Sequence, residues 1–101
     1  MARSTFRFTF KSFDETEKAI NSLLITKNYK TKLENGETVW YKGLEFPTGA
    51  KTLKIEYSER VVTIYAWIST GFSEMDLSGI AAMLQKKQLL NVVTQIKALI
   101  Q

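Results

Sequence analysis

The dipeptide Asn35-Gly36 fixes the middle of this chain. It separates residues 29–34 from residues 37–42, two strand-like runs, and both of its positions tolerate the positive φ that a two-residue hairpin turn demands. A turn of that length also sets the register, so Leu33 falls opposite Thr38, Lys32 opposite Val39, Thr31 opposite Trp40 and Lys30 opposite Tyr41. Leu33 and Trp40 then share one face, the expected core side. Glu59-Arg60 acts the same way between residues 52–58 and 61–69, placing Tyr57 opposite Val62, Ile55 opposite Ile64 and Leu53 opposite Ala66. The reverse face of this second pair carries Glu56 with Thr63, Lys54 with Tyr65 and Thr52 with Trp67.

The flanking segments supply the rest of a fold. Residues 3–11 alternate, with Phe6, Phe8 and Phe10 on one side and Arg7, Thr9 and Lys11 on the other, as in a half-buried strand. Ser12 followed by Glu15 fits a capping box, and Thr16, Ile20, Leu23 and Leu24 continue at helical spacing, so a helix is expected over residues 13–27. Residues 43–51, with the only proline, Pro47, read as a loop, and Thr70-Gly71-Phe72-Ser73 breaks the strand pattern. Leu89, Val92, Val93, Ile96, Leu99 and Ile100 mark a second amphipathic helix from about Lys86. Residues 75–84 fit either an extended segment crossing the core or an early turn of that helix.

This order predicts a single two-layer α+β domain spanning residues 1–101. It comprises a five-stranded antiparallel sheet with two helices on one face, in the order β-α-β-β-β-β-α. The expected core is Phe6, Phe8, Phe10, Ile20, Leu23, Leu24, Leu33, Trp40, Ile55, Ile64, Leu89, Val92, Val93 and Ile96. The element order resembles the β-α-β4-α plan of the TATA-binding-protein-like fold, a plan that by itself implies no activity. The chain ends at Gln101 directly after a helix, an ending compatible with the N-terminal domain of a longer protein.

Composition narrows the chemistry. There is no Cys, which excludes a thiolate metal site, a disulfide framework and a cysteine nucleophile. There is no His, which removes the commonest general base and metal ligand. No glycine-rich phosphate loop occurs. Asp14, Glu15 and Glu17 gather at a helix start, where they complement the helix dipole. Glu74 and Asp76 make only two ligands for a cation, and two ligands do not make a site. The expectation is no catalysis, no cofactor and no metal. No apolar run reaches the roughly 20 residues that cross a bilayer. The N-terminus has no apolar stretch of a signal peptide, so a cytoplasmic setting is expected.

What remains is binding. The sheet face turned away from the helices gathers Arg7, Lys11, Lys30, Lys32 and Lys54 around Tyr41, Tyr65 and Trp67, opposed there by Glu56 alone. That face can be a solvated surface of ordinary cross-strand pairs. It can also be a platform for single-stranded nucleic acid, with Trp67 and Tyr65 stacking on bases and the cations on phosphates. The leading expectation is a protein-interaction or regulatory module with an unidentified protein partner or a second copy of itself, and nucleic-acid binding is the alternative. Lys86-Lys87 at a helix start opposes the dipole, so the helix begins earlier or the pair faces a partner, and the leading expectation is a solvated helix face.

Leu53-Lys54-Ile55-Glu56-Tyr57, Ala66-Trp67-Ile68, residues 74–79 and Lys86-Lys87-Gln88-Leu89 are similar to a pattern in a family of uncharacterised proteins. These are found mainly in Gram-positive bacteria, with a pattern of the form IKVEY, AWI, EMxLxG and PKKxL. The resemblance covers about the second half of the chain and implies no activity. Some members carry zinc-ribbon or hydrophobic membrane segments elsewhere, but neither feature occurs in these residues. Gln85 stands where the pattern has proline.

Overall fold

The computed structural model describes residues 3–46, 48–71 and 73–101. Met1, Ala2, Pro47 and Phe72, the last two expected in connecting segments, lie outside the described residues. The elements run β1 (Ser4–Thr9), α1 (Phe13–Thr26), β2 (Lys30–Glu34), β3 (Glu37–Lys42), β4 (Ala50–Ser58), β5 (Val61–Ser69), β6 (Glu74–Met75) and α2 (Met83–Ile100). All strands are antiparallel, ordered β1-β5-β4-β3-β2, with the two-residue β6 added on β5. This is the expected α+β class with one short strand more.

Turn chemistry sets the register as expected. Asn35 and Gly36 take φ of 52° and 80°, and every pairing read from this turn occurs. Leu53↔Ala66, Ile55↔Ile64 and Tyr57↔Val62 follow from the second turn, where Glu59 adopts φ 50°. Ser12 caps α1, its Oγ accepting from the Glu15 N–H. The helix stops where Asn28 enters the left-handed region, and the Tyr29 N–H returns to the Leu24 carbonyl.

Ile20 and Leu24 of α1 and Leu89, Val92, Val93 and Ile96 of α2 bury themselves against Leu53, Val62, Ile64, Ala66 and Ile68 of β4 and β5. Phe10 is also buried, while Phe6, Phe8, Leu23, Trp40 and Ile55 border this core half-buried. Leu33 departs from the expectation at 75% exposed. It lies on the edge strand β2, near a hairpin tip that the helices do not cover. α2 begins at Met83, earlier than the expected Lys86, and residues 75–84 split between β6, a loop and the first helical residues.

One departure from flatness shapes the surface. β3 pairs with β4 only through residues 40–42. Toward Glu37 it leaves its neighbour, and the Glu37 carboxylate meets Arg3 and Lys54 instead. The tip of the β2–β3 hairpin therefore leans across the sheet face opposite the helices.

Candidate binding surfaces

Residues expected on the outer sheet face do face outward, except Lys11. That side chain comes after β1 has ended and lines a depression with Ser12, Glu15 and Lys18 of the α1 region. Arg7 and Lys30 are exposed, and Lys32, Lys54, Tyr41 and Tyr65 are half-buried. Trp67 is the exception, at 1% exposed.

Arg3 explains that burial. Its guanidinium lies 3.8 Å from the centre of the Trp67 ring. Nε and Nη2 donate to the two oxygens of Glu74 at 2.8 and 2.7 Å, and Nη1 and Nη2 donate to Glu37 at 3.3 and 3.0 Å. One planar fork thus engages two carboxylates, a geometry that lysine cannot reproduce. Lys54 Nζ adds a bond to Glu37 at 2.8 Å and an ion pair to Glu56 at 3.2 Å. Hydrogen bonds from Arg3 and then Lys54 hold the Glu37 carboxyl at about 2, against an ordinary 4.5. Val39 and Thr52 are buried on the same face, so a small second core lies beneath the ion network.

The charge of this face is correspondingly different from the expectation. Arg3, Lys32 and Lys54 form ion pairs with Glu34, Glu37, Glu56 and Glu74, and Arg7 and Lys30 form none among the described residues. The hairpin tip brings in Glu34 and Glu37, and β6 brings in Glu74. Tyr41 and Tyr65 lie under neighbouring lysines, with Lys32 Nζ 4.7 Å and Lys54 Nζ 5.8 Å from the ring centres. A stacking platform needs a ring open to solvent, and Trp67 is not.

A second surface comes from residues 76–84. Asp76 Oδ1 accepts from the Ser78 N–H at 3.0 Å, and the buried Lys86 ammonium donates to the Ser78 carbonyl oxygen. The Ser78 hydroxyl, which also donates to Asp76 Oδ1, and then the Ser78 N–H hold the Asp76 carboxyl below the usual range, with Lys86 contributing less. Lys86 therefore faces inward to its own loop, while Lys87 is exposed. Ala82, the residue before α2, stands at φ 54° with no side-chain cap. Ile80 in this loop and Met83 and Leu84 at the start of α2 are 83%, 59% and 65% exposed.

A non-glycine residue in the left-handed region carries strain of about 1–2 kcal/mol. Ala82→Gly is expected to raise stability by about 0.5–1 kcal/mol, readable as a higher denaturation midpoint at unchanged slope. A drop would show that Ala82 is held by contacts outweighing the strain.

No family model, curated protein or solved structure matches the chain. Among the described residues, no group of three His, Cys, Asp or Glu side chains is placed to hold a metal ion. No helix among them is long and apolar enough to cross a membrane. Arg3 escaped the sequence reading, although its odd position places it on the same side as Thr5 and Arg7. The exposure of Ile80 had no periodic signal, because the segment is too short and irregular to show one.

Proposed function

We propose that the chain is a small, non-catalytic interaction module that binds another protein through the apolar turn at the start of α2. The observation that carries this reading is the exposure of Ile80, Met83 and Leu84 on a backbone fastened by Lys86 and Asp76. Large apolar side chains held in water are unfavourable, and several of them close together in sequence on a hydrogen-bonded turn are a form that protein-binding anchors take. The left-handed Ala82 adds weight, since strained backbone concentrates where function requires a fixed shape. The outer sheet face supports this less, because Trp67 is buried there and Arg3, Lys32 and Lys54 are held in ion pairs.

The test is a photo-cross-linking amino acid placed at position 84, compared with one at position 9 on β1. A discrete adduct from position 84 that disappears with Ile80→Asp is expected. An adduct of twice the chain mass, together with concentration-dependent light scattering, identifies a second copy as the partner. Equal labelling from both positions, or an adduct that survives Ile80→Asp, overturns the reading.

A further inference from the structure

Lys42 and Lys51 are direct cross-strand partners on β3 and β4. Trp40 and Leu53, two residues along from each, place this pair on the side of the sheet that the helices cover. Like charges directly opposite one another are unfavourable in a sheet, so this pair is an unusual choice for a purely structural position. Lys27, the C-cap residue of α1, brings a third ammonium to the same cleft. The cleft measures about 350 Å³, at the lower end of small-molecule sites, and no carboxylate lines it.

Neutral donors complete the lining. Lys51 Nζ donates to Gln88 Oε1 at 2.8 Å, and Gln88 and Asn91 project from one side of α2. Lys42 Nζ stands 5.9 Å from the centre of the Tyr29 ring. Burial pushes the Tyr29 phenol up to about 12, so it stays protonated and able to donate. Burial, and then Lys42, hold the Lys51 ammonium below its ordinary range, as an unpaired cation beside another should be. None of the three lysines forms an ion pair among the described residues.

We propose that this cleft is an anion-binding site that takes the phosphoryl group of a small phosphorylated compound. Three ammonium groups from three elements, with amide and phenol donors beside them, suit a compact oxyanion with several acceptor oxygens. A bound phosphoryl group would convert the Lys42–Lys51 repulsion into two attractions. The site rests on observations separate from the apolar turn, and either can fail without the other.

The test titrates the full chain with inorganic pyrophosphate, and separately with adenosine monophosphate, against sodium chloride at equal ionic strength. The expected result is saturable amide shifts confined to Lys27, Tyr29, Lys42, Lys51, Gln88 and Asn91. Lys51→Gln is expected to weaken pyrophosphate binding about tenfold while leaving the melting temperature unchanged or raised, since it removes a like charge. A lysine with only a structural role would lower the melting temperature and leave binding intact. Arg7→Gln, on β1 at the other edge of the sheet and on its opposite face, should change neither. Pyrophosphate binding alone identifies a free inorganic anion as the source, whereas adenosine monophosphate binding with added shifts at Gln95 identifies a phosphorylated organic compound. Shifts that follow ionic strength, that spread to Arg7 and Thr63 on the outer sheet face, or that persist in Lys51→Gln overturn the site. A stronger response to a single-stranded oligonucleotide, centred on the outer sheet face, also overturns it.

Discussion

Trp67→Ala is expected to destabilise the chain by about 3–5 kcal/mol, the range for truncating a fully buried large aromatic. For a domain of about a hundred residues this lowers the melting temperature on the order of 15–30 °C. The effect is large because Trp67 anchors the second core. It supplies the surface beneath Arg3 and lies opposite Thr52, itself buried. The indole Nε1 is buried without a hydrogen-bond partner among the described residues. Trp67→Phe removes that unsatisfied donor, recovering about 1–3 kcal/mol against the volume it loses. The phenylalanine variant should therefore melt much closer to the parent than the alanine variant. Equal losses in the two variants would mean that the ring phenylalanine retains contributes nothing and that Trp67 does not anchor a second core. A parent-like Trp67→Ala would mean that the ring is exposed, and would return it to the surface as a candidate stacking platform.

Arg3→Met is expected to cost about 2–3 kcal/mol, less than a fully buried pair because the Arg3 side chain keeps 18% of its exposure. Two carboxylates, Glu37 and Glu74, lose their shared partner at once, and both are substantially screened from water. The variant also carries a pH signature. Glu37 titrates near 2 when folded and near 4.5 when unfolded. Above pH 4.5 the carboxylate is ionised in both states and the network contributes fully. As pH falls from 4.5 toward 2 the unfolded chain takes up the proton first, and that stability is lost. Without Arg3 only Lys54 holds Glu37 down, so the acid-side decline in melting temperature should be shallower in Arg3→Met. Parallel declines in the two proteins would mean that Arg3 does not engage Glu37 in solution.

Turn residues made much of this architecture readable in advance. Asn35-Gly36 dictates positive φ locally, and once the turn is placed every partner from Lys30 to Tyr41 follows by counting. Helix periodicity likewise identifies Ile20, Leu24, Leu89, Val93 and Ile96 as core. Counting cannot show where a strand parts from its neighbour. Parity already puts Glu37 on the outer face with Tyr41, but β3 leaves β4 beyond Trp40, and that divergence lets the Glu37 carboxylate reach Arg3, whose guanidinium covers Trp67. The cause lies in sheet curvature and in contacts between residues far apart in sequence, for which no local pattern exists. The lysine cleft was accessible only in part. Lys42 shares its face with Trp40 by parity, but Lys51 falls in the stretch read as a loop, and only the start of β4 at Ala50 puts it on the face of Leu53.

The position of β1 has a consequence for how the chain acquires its shape. Among the described residues β1 pairs only with β5, and Arg3 reaches Glu74 across 71 residues of sequence. A chain made from its N-terminus must therefore carry its first strand unpaired until most of the remainder has been synthesised. Meanwhile α1 and the β2–β3 hairpin can form on their own within about 0.1–10 μs. The slow event is closure of the long loop that brings residues 3–9 against β5, which places folding toward the millisecond-to-second regime of non-local sheets. Until that closure, Phe6, Phe8 and Phe10 and the free edge of β5 remain open to other chains. The interval before β1 docks is thus when the growing chain most depends on protection from its neighbours.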